Sequence, residues 1–165
     1  MSIETFFKLG MKRDIIEPIS DYDPKKCVVI NLGCGNSPIA NAVNMDLPKW
    51  DADKDPIPFS DKTVMQIHAY HFLEHVKDPI RMLLECQRVL IPGGHMNIIV
   101  PYYKSQMASQ DLDHKHFFTE ETWKTLFSNS YYDKNKIEWK FSIGTNIIIG
   151  VVERNLALMT QLIKV

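Results

Sequence analysis

Residues 27–46 read CVVINLGCGNSPIANAVNMD, and this stretch decides the fold. Cys27–Leu32 is an apolar run of strand length, Gly33-Cys34-Gly35 is a tight turn, and Ala42–Met45 is a second short strand that ends on Asp46. Two glycines directly after a strand let the backbone turn sharply and bring its N–H groups close to a ligand, since no Cβ blocks the approach. An acid closing the next strand can accept both hydroxyls of a ribose. The pair predicts a nucleoside-containing cofactor at the carboxyl ends of parallel strands, the edge where open α/β sheets bind ligands.

The rest of the chain is consistent with one domain built on that stretch. Its 165 residues suffice for a single core and leave no room for a second substrate domain. We read 1–26 as a helical lead-in, 27–153 as the α/β core and 154–165 as a tail of uncertain role. With 19 Lys+Arg against 20 Asp+Glu, no general attraction to nucleic acid or anionic membrane is expected. Cys27, Cys34 and Cys86 form no CxxC and no paired framework, so the expected setting is reducing and cytoplasmic. Neither a signal peptide nor a run of ~18 apolar residues is seen.

Helical spacing of Phe6, Leu9, Arg13 and Ile16 predicts an amphipathic helix over Thr5–Ile16. The proline-rich loop Leu47–Lys62 cannot be a long helix, and Trp50–Asp53 is read as a short degenerate strand. Thr63–Tyr70 is a strand. A helix follows over Asp78–Leu90, capped by Asp78 with Pro79 in its first position and stopped by Pro92-Gly93-Gly94. Met96–Val100 is a further strand. The polar loop Lys104–Lys115 is long enough to suggest a functional lid. Thr119 opens another helix, and Lys136–Ile143 and Asn146–Glu153 are expected to pair as a hairpin through Gly144-Thr145. The fold class predicted is α/β, a three-layer Rossmann-like sheet, mostly parallel with a C-terminal antiparallel strand.

Four stretches in order resemble the class I S-adenosylmethionine-dependent methyltransferases, in particular the small type 11 kind. Val29–Gly35 looks like the cofactor loop and Val43–Asp46 like the ribose-binding strand end. Pro58–Asp61 through Ala69–Val76 looks like the fourth-strand motif, and Glu85–Gly94, ECQRVLIPGG, like the helix end E-x-x-R-V-L-x-P-G-G. Asp113–Thr119 is a weaker fifth likeness. The resemblance implies S-adenosyl-L-methionine as cofactor, contacted by Asn31, Gly33, Cys34, Gly35, Asp46 and Leu47, and by Ala69, Tyr70 and His71 at the next strand end. Asp51, Asp53 and Asp55 compete for the adenine amino group, with Asp53 favoured. His71 and His114 are the expected catalytic residues, either one as a base; no metal is assigned. The methyl acceptor is left unidentified.

Two features depart from the family pattern. Only Asn36–Asn41 separate Gly35 from the second strand, so the first crossover helix is expected to be reduced or missing. Pro38 replaces the third glycine of a dinucleotide fingerprint, and Asp46 comes too early for its acid, which argues against NAD. The thin crossover raises a second reading, a cofactor-binding pseudoenzyme or partner subunit that acts in a complex or as a homo-oligomer. A third reading comes from His71-Phe-Leu-Glu-His75, which spells H-x-x-E-H; on a helix both histidines would share a face, Glu74 would activate water and Glu153 would complete a zinc hydrolase site.

Overall fold

The computed structural model describes residues 28–128, 137–150 and 155–165. The expected N-terminal helix, Cys27 and Glu153 lie outside them. Within them runs a six-stranded sheet of β1 Val28–Leu32, β2 Val43–Met45, β3 Val64–Tyr70, β4 Leu90–Pro101, β5 Phe141–Ile149 and β6 Ala157–Lys164, in the order β2-β1-β3-β4-β6-β5. The neighbours β2, β1, β3 and β4 are parallel, and β6 lies antiparallel between β4 and β5. This is the expected Rossmann-like α/β sheet with one antiparallel C-terminal strand. The crossover from β1 to β2 carries no helix. Three helices are described: α1 Pro79–Val89, α2 Gln106–Ser109 and α3 Glu120–Phe127.

Alternation along the strands turns Ile30, Leu32, Ile67, Ala69, Met96, Ile98, Leu158 and Leu162 to one face. There they join Met82, Leu83, Cys86 and Val89 of α1 and Trp123 and Leu126 of α3 in a single apolar cluster. α1 starts where Asp78 caps the Arg81 N–H at 2.9 Å and Pro79 needs no intrahelical donor. Its last turn is locked to the proline loop by Arg88, which bonds Glu85, the Phe59 and Ile57 carbonyls and Asp61 at 2.8–2.9 Å.

The opposite face is polar along one line. Register sets Asn44, Asn31, His68, Asn97 and Gln161 side by side across five strands. Asn31 Nδ2 donates to Asn44 Oδ1 at 2.9 Å, and Gln161 Nε2 donates to Asn97 Oδ1 at 3.1 Å.

Several expectations are corrected. Gly144 and Thr145 make no hairpin turn: β5 runs through them with a register irregularity, because its whole length pairs with β6. The supposed tail is that β6, an interior strand. Pro92-Gly93-Gly94 lies inside β4, where the register with β3 shifts, rather than between helix and strand. Trp50–Asp53 is turn, not strand; the Trp50 indole donates to the Pro56 carbonyl at 3.0 Å and stacks on Phe72. The segment after β4 is not wholly loop, since it contains α2.

Candidate active site

At the carboxyl ends of β1 and β2 the glycine turn is closed by its own neighbours. Gly33 and Cys34 donate their N–H groups to the Met45 carbonyl, at 2.9 and 3.3 Å. Gly35 donates to Asp46 Oδ2 at 2.6 Å, and Leu47 donates to Asp46 Oδ1 at 2.7 Å. The expectation that these turn N–H groups face a ligand is therefore corrected: all three are spent holding β1's end to β2's. The two glycines differ. A Cβ at Gly33 (φ +65°) would stand 2.5 Å from the Phe72 ring, whereas one at Gly35 (φ +47°) would meet nothing within 4 Å. Gly33 thus makes room for Phe72, and Gly35 borders open space. A carboxylate has about four lone-pair sites, so Asp46 keeps capacity for two further donors.

Asn31 is buried, and its amide braces the helix-free crossover. Besides Asn44 Oδ1 it reaches the Ser37 carbonyl at 3.4 Å, while Asn44 holds the Ile39 N–H at 2.8 Å and the Ile39 and Ala42 carbonyls at 3.1 Å. Of the acids in the next loop, Asp53 Oδ1 accepts the Lys77 N–H at 2.7 Å and so fastens the loop to the start of α1. Asp51 holds Lys54 and the Asp53 N–H, and Asp55 accepts the Asp51 N–H. Leu47 stands exposed beside Asp46.

At the end of β3, Ala69 is fully buried next to Leu32. The Tyr70 hydroxyl lies 2.8 Å from His68 Nδ1. Burial pushes Tyr70 up to about 12, and burial, with a smaller contribution from His95, pushes His68 down to about 4. His71 takes a left-handed conformation (φ +52°), and its N–H bonds the Ile99 carbonyl at 2.7 Å. Its Nδ1 lies 3.1 Å from Oε1 of the fully buried Glu74. Residues 71–76 form turns, so the helix required by the H-x-x-E-H reading is not formed. Phe72 follows His71 and packs on Gly33, which brings the β3 end against the cofactor loop.

The segment after β4 is fastened to the same turn. Lys115 N–H donates to the Glu74 carbonyl at 2.7 Å, His116 Nε2 lies 2.9 Å from the Val76 carbonyl, and the His75 and His114 rings are 4.7 Å apart edge to face. His114 therefore joins Glu74 and His75, while Asp46 is bonded to the glycine turn and Asp53 to the start of α1. Sequence reasoning missed two contributors, Phe72 and the pairing of Glu74 with His71. The three-residue spacing from His71 to Glu74 was the available signal for the second.

Comparison with known proteins bears on the fold. Residues 25–98 match the family described as a methyltransferase domain. No curated protein matches by sequence. Among solved structures, the complex between the Haloferax volcanii Trm112 methyltransferase activator and its methyltransferase contains a chain of TM-score 0.60 and 13% identity, covering 84% of this chain and 83% of that one. A methyltransferase from Aquifex aeolicus has TM-score 0.57 and 14% identity over 98% of both chains. One from Mesorhizobium loti has TM-score 0.57 and 13% identity, over 84% and 91%. Over residues 25–98 the sequence matches a methyltransferase domain, and the sheet has the fold of these solved S-adenosylmethionine-dependent methyltransferases. The cofactor of that class is S-adenosylmethionine, and the spare acceptor capacity of Asp46, the open side of Gly35 and the exposed Leu47 fit its ribose and adenine. Among the described residues no helix is long and apolar enough to cross a membrane.

Proposed function

We propose that the chain transfers a methyl group from S-adenosylmethionine to a nucleophilic oxygen or nitrogen of an acceptor. One observation carries this reading: Phe72 packs on Gly33, which sets the nucleoside-type acid loop against a histidine–carboxylate pair at one sheet edge. When bound, the cofactor supplies a methyl already made electrophilic by its sulfonium, so the protein's work is alignment and exclusion of water. Asp46 accepts the ribose hydroxyls. An ionised Glu74 can only accept, so His71 carries its proton on Nδ1 and presents Nε2 as the base. That nitrogen takes the acceptor's proton as the new bond to carbon forms. His114 lies on the same acceptor side, and Asp53 contributes by holding the adenine-side loop in place. The free thiols Cys34 and Cys86 fit a reducing cytoplasmic compartment.

Calorimetry with S-adenosylhomocysteine tests the cofactor site, and absence of binding at about 1 mM ligand would remove it. His71→Ala should abolish turnover in a screen of acceptors while leaving that affinity intact.

A second reading, a partner subunit or homo-oligomer, is supported by the short edge strand β2 with exposed Val43 beside a helix-free crossover. The Haloferax structure, a methyltransferase held by an activator protein, gives a precedent. Light scattering that finds only monomer, together with turnover by the isolated chain, would discard it.

A further inference from the structure

We propose that Glu74, His75 and His114 bind a divalent transition-metal ion of the zinc class. One ligand atom from each of the three lies within 4.8 Å of those of the other two. Two buried polar atoms here, Glu74 Oε2 and His75 Nδ1, have no hydrogen-bond partner, and they belong to adjacent residues. Glu74 is fully buried. A buried carboxylate oxygen without a donor is costly, and such groups call for an explanation such as an ion.

The surroundings prepare the site for a cation. His71 Nδ1 holds the other Glu74 oxygen at 3.1 Å, the kind of outer contact that fixes a ligating carboxylate. His114 Nδ1 lies 3.1 Å from the Ala108 carbonyl. That contact requires the proton on Nδ1 and leaves the lone pair on Nε2, as in most ligating histidines. Asp113 Oδ2 stands 3.6 Å from His75 Nδ1 and Asp111 Oδ2 stands 3.9 Å from His114 Nε2, so two carboxylates add negative potential. The bonds from residues 115 and 116 to residues 74–76 tie the two ligand-bearing segments together without any ion.

Two imidazoles and one carboxylate suit zinc and its neighbours rather than magnesium or calcium, which take oxygen ligands. In a tetrahedral zinc site, ligand atoms lie about 3.4 Å apart, so side-chain rotations of about an ångström close the observed spacing. Three protein ligands leave the fourth position for water or an acceptor atom. This arrangement differs from the H-x-x-E-H hydrolase: Glu74 is a ligand rather than a base, and His71 supports it from outside.

The proposal stands whether or not the chain transfers methyl groups, and its test uses no turnover. Zn²⁺ is titrated calorimetrically into the metal-stripped full chain, and Co²⁺ is added separately to read its visible spectrum. One Zn²⁺ per chain is expected, with the intense absorption of tetrahedral Co²⁺. His75→Gln and His114→Gln, both partly exposed positions, should each weaken binding by at least about tenfold, with thermal melts showing them folded. Cys34→Ser should bind Zn²⁺ as the wild type does, which excludes capture by the loop thiol. No Zn²⁺ uptake, equal uptake in both histidine variants, or an octahedral Co²⁺ spectrum would overturn the site. Because S-adenosylhomocysteine affinity is measured separately, failure of the metal site leaves the cofactor reading to its own test.

Discussion

Gly33 and Gly35 look equivalent in the sequence and do different work. Gly33 combines a left-handed backbone with the Phe72 ring 2.5 Å from where a Cβ would sit, whereas Gly35 has only the backbone constraint. Gly33→Ala should therefore cost about 2–4 kcal/mol, from backbone strain and overpacking together, and Gly35→Ala about 1 kcal/mol; denaturant melts measure both. Asp46→Ala removes an acceptor from two N–H groups near solvent, so its stability cost should be about 1 kcal/mol. It should weaken S-adenosylhomocysteine binding by on the order of tenfold or more; unchanged affinity would detach Asp46 from the ribose. The glycines and Asp46 were legible as a turn and a strand-ending acid. Their partners were not, because the Met45 carbonyl and the Phe72 ring come from elements that only the folded sheet brings alongside. Asp53 shows the same limit: its bond to the Lys77 N–H crosses 24 residues.

Among the elements, α1 depends on one side chain. Arg88 spends its planar fork on Glu85, Asp61 and two loop carbonyls, while Glu85 Oε2 also accepts the Ile57 N–H at 2.9 Å. These bonds raise Arg88 above its ordinary value and hold Glu85 below the usual carboxylate range. A lysine cannot reproduce the fork, so Arg88→Lys should destabilise by about 2–3 kcal/mol, read as a lower melting temperature. The E-x-x-R spacing, legible in the sequence only as a family likeness, thus has a physical use in binding the proline loop to the helix. β6 was missed for a related reason. Its inward positions alternate as Leu158, Thr160, Leu162 and Lys164, and two of these are polar, which hides the strand pattern. Thr160 is satisfied by Asn146 Oδ1 at 3.0 Å and Lys164 by the Leu90 carbonyl at 2.5 Å, partners that no local reading supplies. The Gly144-Thr145 pair, in turn, carried a hairpin signal that long-range pairing with β6 overrode.

Across the whole molecule, the polar line on the sheet ties stability to acidity. Burial holds His68 neutral down to about 4, against an ordinary value of 6.5, and lowers neighbouring His95 as well. As pH falls below 6.5 the unfolded chain takes up protons that the folded chain refuses, so stability is lost between pH 6.5 and about 4. His68 alone contributes on the order of 3 kcal/mol to that loss. Melts at pH 7 and pH 5 should differ, and His68→Gln should reduce the difference; an unchanged midpoint would show that His68 is not held neutral. The order β2-β1-β3-β4-β6-β5 also dictates when the sheet can close. Among the described residues β5 pairs only with β6, and β6 also covers the flank of β4. On the ribosome, residues 141–149 must therefore wait, backbone unpaired, until residues 157–164 have cleared the exit tunnel. The sheet can be completed only once β6 is available, and a nascent chain arrested before residue 157 would carry an open β4 edge prone to pairing with its neighbours.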